Sequence, residues 1–160
     1  MIRPVPLEAA AFARFGEVLD VPAMPGRATF ERALSSTRPS AWPSLSMTLR
    51  APLAAAAGTP MLVTAMERHA FSSQSFVPLV PVRWLVLVAP HLPGGGPDMA
   101  AAQAFLPGPG QGVTYGADVW HHGLTVLDAP APFAVLMWRD GTITDEEFVD
   151  VDPLAVEWPP

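Results

Sequence analysis

Cysteine and lysine are both missing from this 160-residue sequence. Without cysteine there can be no disulfide bond, no thiolate nucleophile and no zinc–thiolate site. Without lysine there can be no Schiff base between a side-chain amine and a carbonyl substrate. These two absences exclude several classes of covalent and metal chemistry.

Long apolar runs are missing too. Half of the residues are hydrophobic and the mean hydropathy is +0.29, yet no run reaches the ~18 residues that a membrane helix needs. The longest, residues 84–89 and 133–138, have the length of strands, and the first is typical of a strand buried on both faces. Glu8 and Arg14 interrupt the apolar stretch that a signal peptide would need. We therefore expect a soluble, cytoplasmic protein with no membrane partner.

The charge balance is acidic, with a net charge of −6, which argues against nucleic acid as a partner. The length suits one domain with a hydrophobic core, so we expect residues 1–160 to form a single domain. Twenty prolines and twelve glycines indicate many short turns rather than long helices.

The pattern of apolar residues and turns predicts a mostly β fold. One N-terminal helix is expected over residues 6–15, because Pro6 suits a first turn and Leu7, Ala11 and Phe15 recur at helical spacing. The rest reads as about eight to ten short strands with turns at roughly ten-residue spacing, one of them at residues 29–35, which is typical of a barrel or sandwich.

A first polar motif combines Glu67, His69 and Gln74. In an extended strand Glu67 and His69 share one face and Arg68 takes the other. A turn at residues 72–73 would bring Gln74 back beside them.

A second stretch, residues 112–122, offers a histidine from a distant part of the chain. A carboxylate, two imidazoles and an amide that converge would suit a divalent cation. The alternative is that the Glu-x-His pair is only the solvated face of a strand.

The two stretches together resemble the ureidoglycolate lyase family of the cupin superfamily. Residues 66–69 and 74–78 match its E-R-H…Q-x-F-[IV]-P segment, and residues 111–115 and 119–122 match its G-V-x-Y…V-W-H-H segment. Weaker matches run over most of the chain in the family's order: the opening residues 6–18, Pro97-Asp98 before Ala104-Phe105, and Arg139 after an apolar strand.

The resemblance implies a cupin-like β-barrel or sandwich, usually paired as a homodimer. The implied activity is that of a carbon–nitrogen lyase that splits ureidoglycolate into glyoxylate and urea, late in allantoin breakdown. It also implies that Glu67, His69, Gln74 and His121 occupy the four metal-ligand places of the cupin motifs. A divalent metal and no organic cofactor are therefore expected.

Several positions near the expected pocket depart from the family pattern. Gly116 and Ala117 stand where members often carry His-Arg, Gly123 where Pro is frequent, and Trp138 where Asp commonly precedes the arginine. These departures leave two alternatives open. One is an enzyme acting on another small hydroxy or ureido acid, and the other is a non-catalytic barrel that binds a small anion.

The remaining candidates concern catalysis. Without a metal, His69 and His121 would serve as hydrogen-bond donors or acid/base groups. His122 is a further acid/base candidate because imidazole titrates near neutral pH. Strict strand alternation would turn His122 away from the face of His121, so a structural role is its alternative.

Three residues are candidates for binding substrate. Gln74 and Tyr115, the single tyrosine, are placed to orient it, and a core position is the alternative for Tyr115. Arg139 is the predicted partner of a substrate carboxylate, which an arginine binds bidentately. Its alternative is a surface arginine at the end of a strand.

Overall fold

The chain folds into two β-sheets that pack face to face as a sandwich. The structure is a computed structural model, and it describes residues 1–54 and 59–157. Its strands, in chain order, are β1 (Val5–Pro6), β2 (Gly16–Leu19), β3 (Trp42–Arg50), β4 (Met61–Arg68), β5 (Gln74–Pro78), β6 (Trp84–Ala89), β7 (Gln103–Leu106), β8 (Gly112–Tyr115), β9 (Trp120–His121), β10 (Thr125–Val126), β11 (Ala131–Arg139) and β12 (Glu147–Val156).

One sheet has the order β1-β7-β6-β9-β4-β12, with β10 pairing to β6, and the other has the order β2-β8-β5-β11-β3. Among the described strands, none of the named ladders joins one sheet to the other, so this mostly β, cupin-like fold is a sandwich rather than a closed barrel. In the described part of the chain, no helix has the length and apolar character needed to span a membrane.

Strand β6 is buried on both faces, as its continuous apolar run predicts. Trp84, Val86 and Val88 pack into one core cluster, and Leu85 and Leu87 pack into another. Successive side chains of a strand point to opposite faces, so a run without polar residues requires apolar neighbours on both sides. Alternate side chains of β6 therefore contribute to two separate hydrophobic core clusters.

The predicted N-terminal helix is present but short, since α1 spans only Ala9–Phe12. Pro6 is instead paired in β1, parallel to β7, and Gly16 already begins β2. Sheet pairing on both sides thus limits the helix. Leu7 and Phe15 are buried as the helical spacing suggests, but Ala11 is exposed and Phe12 is buried instead.

The strand predicted at residues 29–35 is wrong. This segment forms no named strand, because its backbone and side chains bond elsewhere. The Arg32 guanidinium donates to the carbonyl of Gly16 at 2.6 Å, and the Ser35 amide donates to Ser73 Oγ at 2.9 Å. The segment therefore bonds to β2 and to the turn before β5, which belong to one sheet, without adding a strand.

Two registers position the polar motifs. Glu67 in β4 lies directly opposite His121 in β9, and Gln74 in β5 lies opposite Tyr115 in β8. On the other side of β8, Gly16 of β2 lies opposite Tyr115, and a Cβ on Gly16 would lie 1.8 Å from the carbonyl oxygen of Thr114. Only glycine lets β2 pair this tightly with β8.

Candidate metal centre and cavity

Glu67 and His121 form the centre of the site. Their strands are neighbours, and Glu67 Oε1 lies 3.2 Å from His121 Nε2. Arg68 lies apart from this contact, where it forms ion pairs with Asp118 and Glu147. Glu67 and Arg68 therefore point to opposite faces of β4, as strand alternation predicts.

His69 joins this pair just beyond the end of β4. Its Nδ1 lies 2.8 Å from the backbone carbonyl oxygen of Asp145. Its Nε2 is buried and, among the described residues, has no hydrogen-bond partner. The candidate ligand atoms of Glu67, His69 and His121 all lie within 4.8 Å of one another.

Gln74 completes the cluster from the other sheet. After the turn that follows β4, its Oε1 comes to 3.1 Å from His121 Nε2. The side chain is buried, and its amide nitrogen makes only a weak contact, 3.9 Å long, with the sulfur of Met137. Two sheets thus bring together a carboxylate, two imidazoles and an amide.

The hydrogen bonds determine which ring nitrogen of each histidine is left for a ligand. Three histidines present Nδ1 to an oxygen, and the pairs are His69 with Asp145 O, His121 with Val119 O, and His122 with Thr125 Oγ1. The two carbonyls can only accept, and the Thr125 hydroxyl gives its own proton to the carbonyl of Gly123. Each neutral ring therefore carries its proton on Nδ1 and a lone pair on Nε2.

His91 has the opposite tautomer, because the indole of Trp120 donates to its Nδ1. Its Nε2 then donates to the carbonyl of Asp118 at 2.6 Å. Both nitrogens of His91 are occupied, and it lies outside the cluster.

The cluster fits a divalent cation. With its proton on Nδ1, His121 aims a lone pair at two further lone-pair donors, Glu67 Oε1 and Gln74 Oε1. Such an arrangement is repulsive unless a proton or a cation lies between the atoms. A proton on His121 would still leave His69 Nε2 buried without a partner, whereas a cation would engage all four donors. Mixed imidazole and oxygen donors are those that divalent transition metals accept.

Electrostatics keep Glu67 and His69 in their ligand forms at neutral pH. Burial acts to raise the pKa of Glu67, but the imidazoles around it, His121 first and then His69 and His122, favour its charged form and outweigh burial, so the pKa is lowered. Burial is the largest cause that lowers the pKa of both His69 and His122. The carboxylate is therefore ionised and these two imidazoles are neutral.

A cavity of about 550 Å³ opens onto the cluster. Its polar wall is formed by Glu67, Gln74, His122, Thr48, Arg50 and Glu146. This volume lies within the range of small-molecule sites. Because Glu67 and Gln74 reach the wall, a ligand in the cavity meets the cluster directly.

A sequence model of the family described as ureidoglycolate lyase matches residues 1–157. The chain belongs to the ureidoglycolate lyase family. This confirms the resemblance seen in the two motifs.

Curated relatives agree with the family match. The chain is 37% identical over 136 residues to a putative ureidoglycolate lyase of Agrobacterium fabrum, covering 85% of this chain and 82% of the relative. It is 36% identical over 140 residues to the ureidoglycolate lyase of Mesorhizobium japonicum, with 82% of each chain covered. It is 34% identical over 154 residues to that of Azotobacter vinelandii, covering 92% of this chain and 91% of the relative.

The three other predicted site residues of this ureidoglycolate lyase family member differ in their position relative to the cavity. His122 lines the cavity, because β9 ends at His121 and strand alternation no longer orients the next side chain. Tyr115 is buried and stacks on His121. Arg139 is about half exposed at the end of β11, where its Nε lies 3.6 Å from the carboxylate of Asp145, and it does not line the cavity.

Two features of the site escape the sequence reasoning. Arg50, at the end of β3, lines the cavity. The buried Asp145, whose carbonyl orients His69, has its own carboxylate held by Arg38. The polar alternation of β3 was a signal for Arg50, since Thr48 and Arg50 share a face, but no local signal links Asp145 to His69.

One departure from the family pattern lies beside the carboxylate. A Cβ on Gly123 would lie 3.9 Å from Glu67 Oε1, which is ordinary contact distance. The absence of a side chain at this position widens the cavity next to Glu67.

Proposed function

We propose that this chain is a ureidoglycolate lyase, an amidine-lyase that cleaves ureidoglycolate to glyoxylate and urea in allantoin degradation. Family membership and the names of the relatives support the activity. The observation that carries the proposal is the cluster of four lone-pair donors at the wall of a cavity of about 550 Å³. A small 2-hydroxy acid offers the oxygen atoms that such a site takes up.

The reaction requires one proton to move and no change in oxidation state overall. The bond between the carbinol carbon and the ureido nitrogen breaks, the hydroxyl loses its proton, and a carbonyl forms. The departing nitrogen must gain a proton to leave as urea. The site therefore needs a base near the hydroxyl and an acid near the nitrogen, and one group can do both in turn.

Glu67, His69, Gln74 and His121 are the residues that would hold a divalent cation. When bound, such a cation supplies Lewis-acid polarisation of a hydroxyl oxygen. The amide of Gln74 is a weaker ligand than a carboxylate, so we expect the ion to be held loosely. Asp145 and Val119 keep the two imidazoles in the tautomer that leaves Nε2 for this purpose.

His122 is the proposed proton carrier. Burial lowers its pKa, so the ring is neutral and able to accept the hydroxyl proton. Its Nδ1 proton is held by Thr125 Oγ1, which leaves Nε2 for the substrate. The imidazolium formed then returns the proton to the ureido nitrogen.

We also propose that residues 1–160 act as one domain and that two copies pair as a homodimer. The apolar side chains of Leu45, Met47 and Leu49 on the edge strand β3 are 65%, 65% and 72% exposed, which supports burial against a second copy. A cytoplasmic location stays a prediction from the sequence.

The test of the function is glyoxylate release from ureidoglycolate by the purified protein, with and without added divalent metal ions. We expect turnover well above the uncatalysed decay of the substrate. No excess glyoxylate under either condition would rule out the lyase. Turnover of a different hydroxy or ureido acid in the same assay would assign the site to that substrate instead.

A further inference from the structure

Arg50 is held in place by the segment that carries His122. Its Nε donates to the backbone carbonyl of Leu124 at 3.0 Å, and Leu124 lies two residues beyond His122. Both side chains line the cavity that opens onto Glu67. They also share a neighbouring cavity of about 490 Å³. Arg50 and His122 therefore lie on one common wall.

The guanidinium of Arg50 has donors to spare. An arginine carries five N–H donors, and the bond to Leu124 uses only the one on Nε. Within residues 1–54 and 59–157, no carboxylate forms an ion pair with Arg50. With Nε anchored, the two terminal nitrogens remain as a fork of the shape that binds a carboxylate bidentately.

Arg139 differs from Arg50 on each of these counts. It lies outside the cavity, and its Nε is within ion-pair distance of the Asp145 carboxylate. Asp145 already receives the backbone amides of Asp140 and Gly141 and the guanidinium of Arg38. Arg139 is thus an outer member of a structural network.

We propose that Arg50 binds the carboxylate of the substrate and selects for 2-hydroxy acids, a role that rests on the proposed lyase function. In such an acid the carboxylate is bonded directly to the carbinol carbon. Anchoring the carboxylate at Arg50 places the hydroxyl beside His122 and the Glu67 side of the cavity. The ureido group then takes the remaining space, which Glu146 and Phe148 line.

The experiment compares Arg50→Gln with wild type in the glyoxylate-release assay and in direct binding of two probes. The probes are glycolate and its uncharged amide, glycolamide, measured by calorimetric titration. We expect Arg50→Gln to raise KM roughly 10- to 100-fold with a smaller change in kcat, as the loss of a charge-assisted bond predicts. Glycolate binding should weaken by a similar factor and glycolamide binding should not change.

Three further variants sharpen the comparison. Arg50→Lys keeps the charge but loses the planar fork, so its effect should be intermediate. Arg139→Gln tests the rival arginine. Arg3→Gln is the matched control, since Arg3 is a surface arginine with an 81% exposed side chain. Melting temperatures of all variants show whether loss of the Leu124 bond disturbs the fold.

The outcomes separate this inference from the proposed function. If wild type releases glyoxylate and Arg50→Gln keeps its KM, the role of Arg50 is overturned while the lyase stands. If wild type releases none but binds glycolate in an Arg50-dependent way, the lyase fails and the carboxylate site stands. The inference would be overturned if Arg139→Gln weakens glycolate binding and Arg50→Gln does not, or if wild type does not bind glycolate.

Discussion

The ring of Tyr115 lies nearly parallel to the ring of His121, with centroids 4.1 Å apart and an interplanar angle of 13°. Both side chains are buried. Phe12 and Phe76 pack on Tyr115, each with a centroid distance of 6.0 Å. The tyrosine therefore links the aromatic core to the imidazole at the centre of the cluster.

This stacking predicts different effects of two substitutions at Tyr115. Tyr115→Phe keeps the ring, so we expect near-normal turnover. Tyr115→Leu removes an aromatic contact worth about 1 kcal/mol and frees the His121 ring to tilt, so we expect roughly a tenfold loss. The measurement is the glyoxylate-release rate of each folded variant. An equal loss in both variants would show that the hydroxyl, rather than the ring, is what matters.

Removal of an imidazole from the cluster is expected to be severe. His69→Ala and His121→Ala should each lower turnover roughly 10²- to 10⁴-fold, the usual effect of losing a group used in proton transfer or its orientation. His91→Gln is the matched control, because His91 lies outside the cluster with both ring nitrogens occupied. Near-normal rates in the folded His69 and His121 variants would contradict the site.

Gln74→Glu is expected to tighten metal binding. The change replaces a neutral amide oxygen by an anionic one beside His121 and gives the cluster two carboxylates. Titration with Mn²⁺ or Co²⁺, followed by dialysis and metal analysis, measures the retained ion. Gln103→Glu on β7 is the control for added charge and should retain no more than wild type. If neither wild type nor Gln74→Glu binds a divalent ion, the cluster is not a metal site.

The stability of the fold should fall in acid through Asp145. Burial acts to raise the pKa of this carboxyl, but the backbone amides of Asp140 and Gly141 and the guanidinium of Arg38 outweigh it, so the pKa is lowered from 3.8. A lowered pKa in the folded state means that the stabilisation is present above pH 3.8 and is lost as the pH falls through the folded-state value.

Asp145→Asn tests this linkage by urea unfolding. At pH 7 we expect a loss of about 2–4 kcal/mol, since the change leaves Arg38 partly unpaired in a buried setting. The difference in the free energy of unfolding between wild type and variant should become smaller as the pH falls below 3.8. If this difference stays constant until the protein unfolds in acid, the charge of the carboxylate contributes little to stability.

Met47→Glu on the exposed face of β3 tests the homodimer. A charge at this position would be buried unpaired in an interface formed by this face, which opposes association. We expect sedimentation at micromolar concentration to give about twice the 17.0 kDa chain mass for wild type and the single-chain mass for the variant. Asp152→Asn on β12 changes a charge on the other sheet and should remain dimeric. A monomeric wild type would refute the pairing.

Much of the cluster was predictable because its spacing is local. Strand alternation places Glu67 inward and Arg68 outward, and a short turn returns Gln74 beside them. The contribution of His121 came from the family resemblance, since no local rule pairs β4 with β9. Strand alternation predicts that His122 points away from the face of His121, but it does not apply there, because the strand ends at His121.

Local pattern failed where long-range pairing competes with it. The helical spacing of residues 6–15 is real, but β1 takes Pro6 and β2 takes Gly16 into sheets. Residues 29–35 have strand-like composition, yet their hydrogen bonds go to the Gly16 carbonyl of β2 and to the Ser73 side chain. Backbone groups bond to whichever partner the fold brings near, and a sequence window does not contain that partner.

By itself, the sequence determined the chemistry that is available and the β character of the fold. Missing cysteine and lysine, the alternation of β4 and the two-faced apolar run of β6 all follow from residue type and the two-residue period of a strand. Only the tertiary structure decided which arginine lines the cavity and which carbonyl orients His69. Both contacts depend on which faces of the two sheets meet, and this is determined by packing between residues that are far apart in the chain.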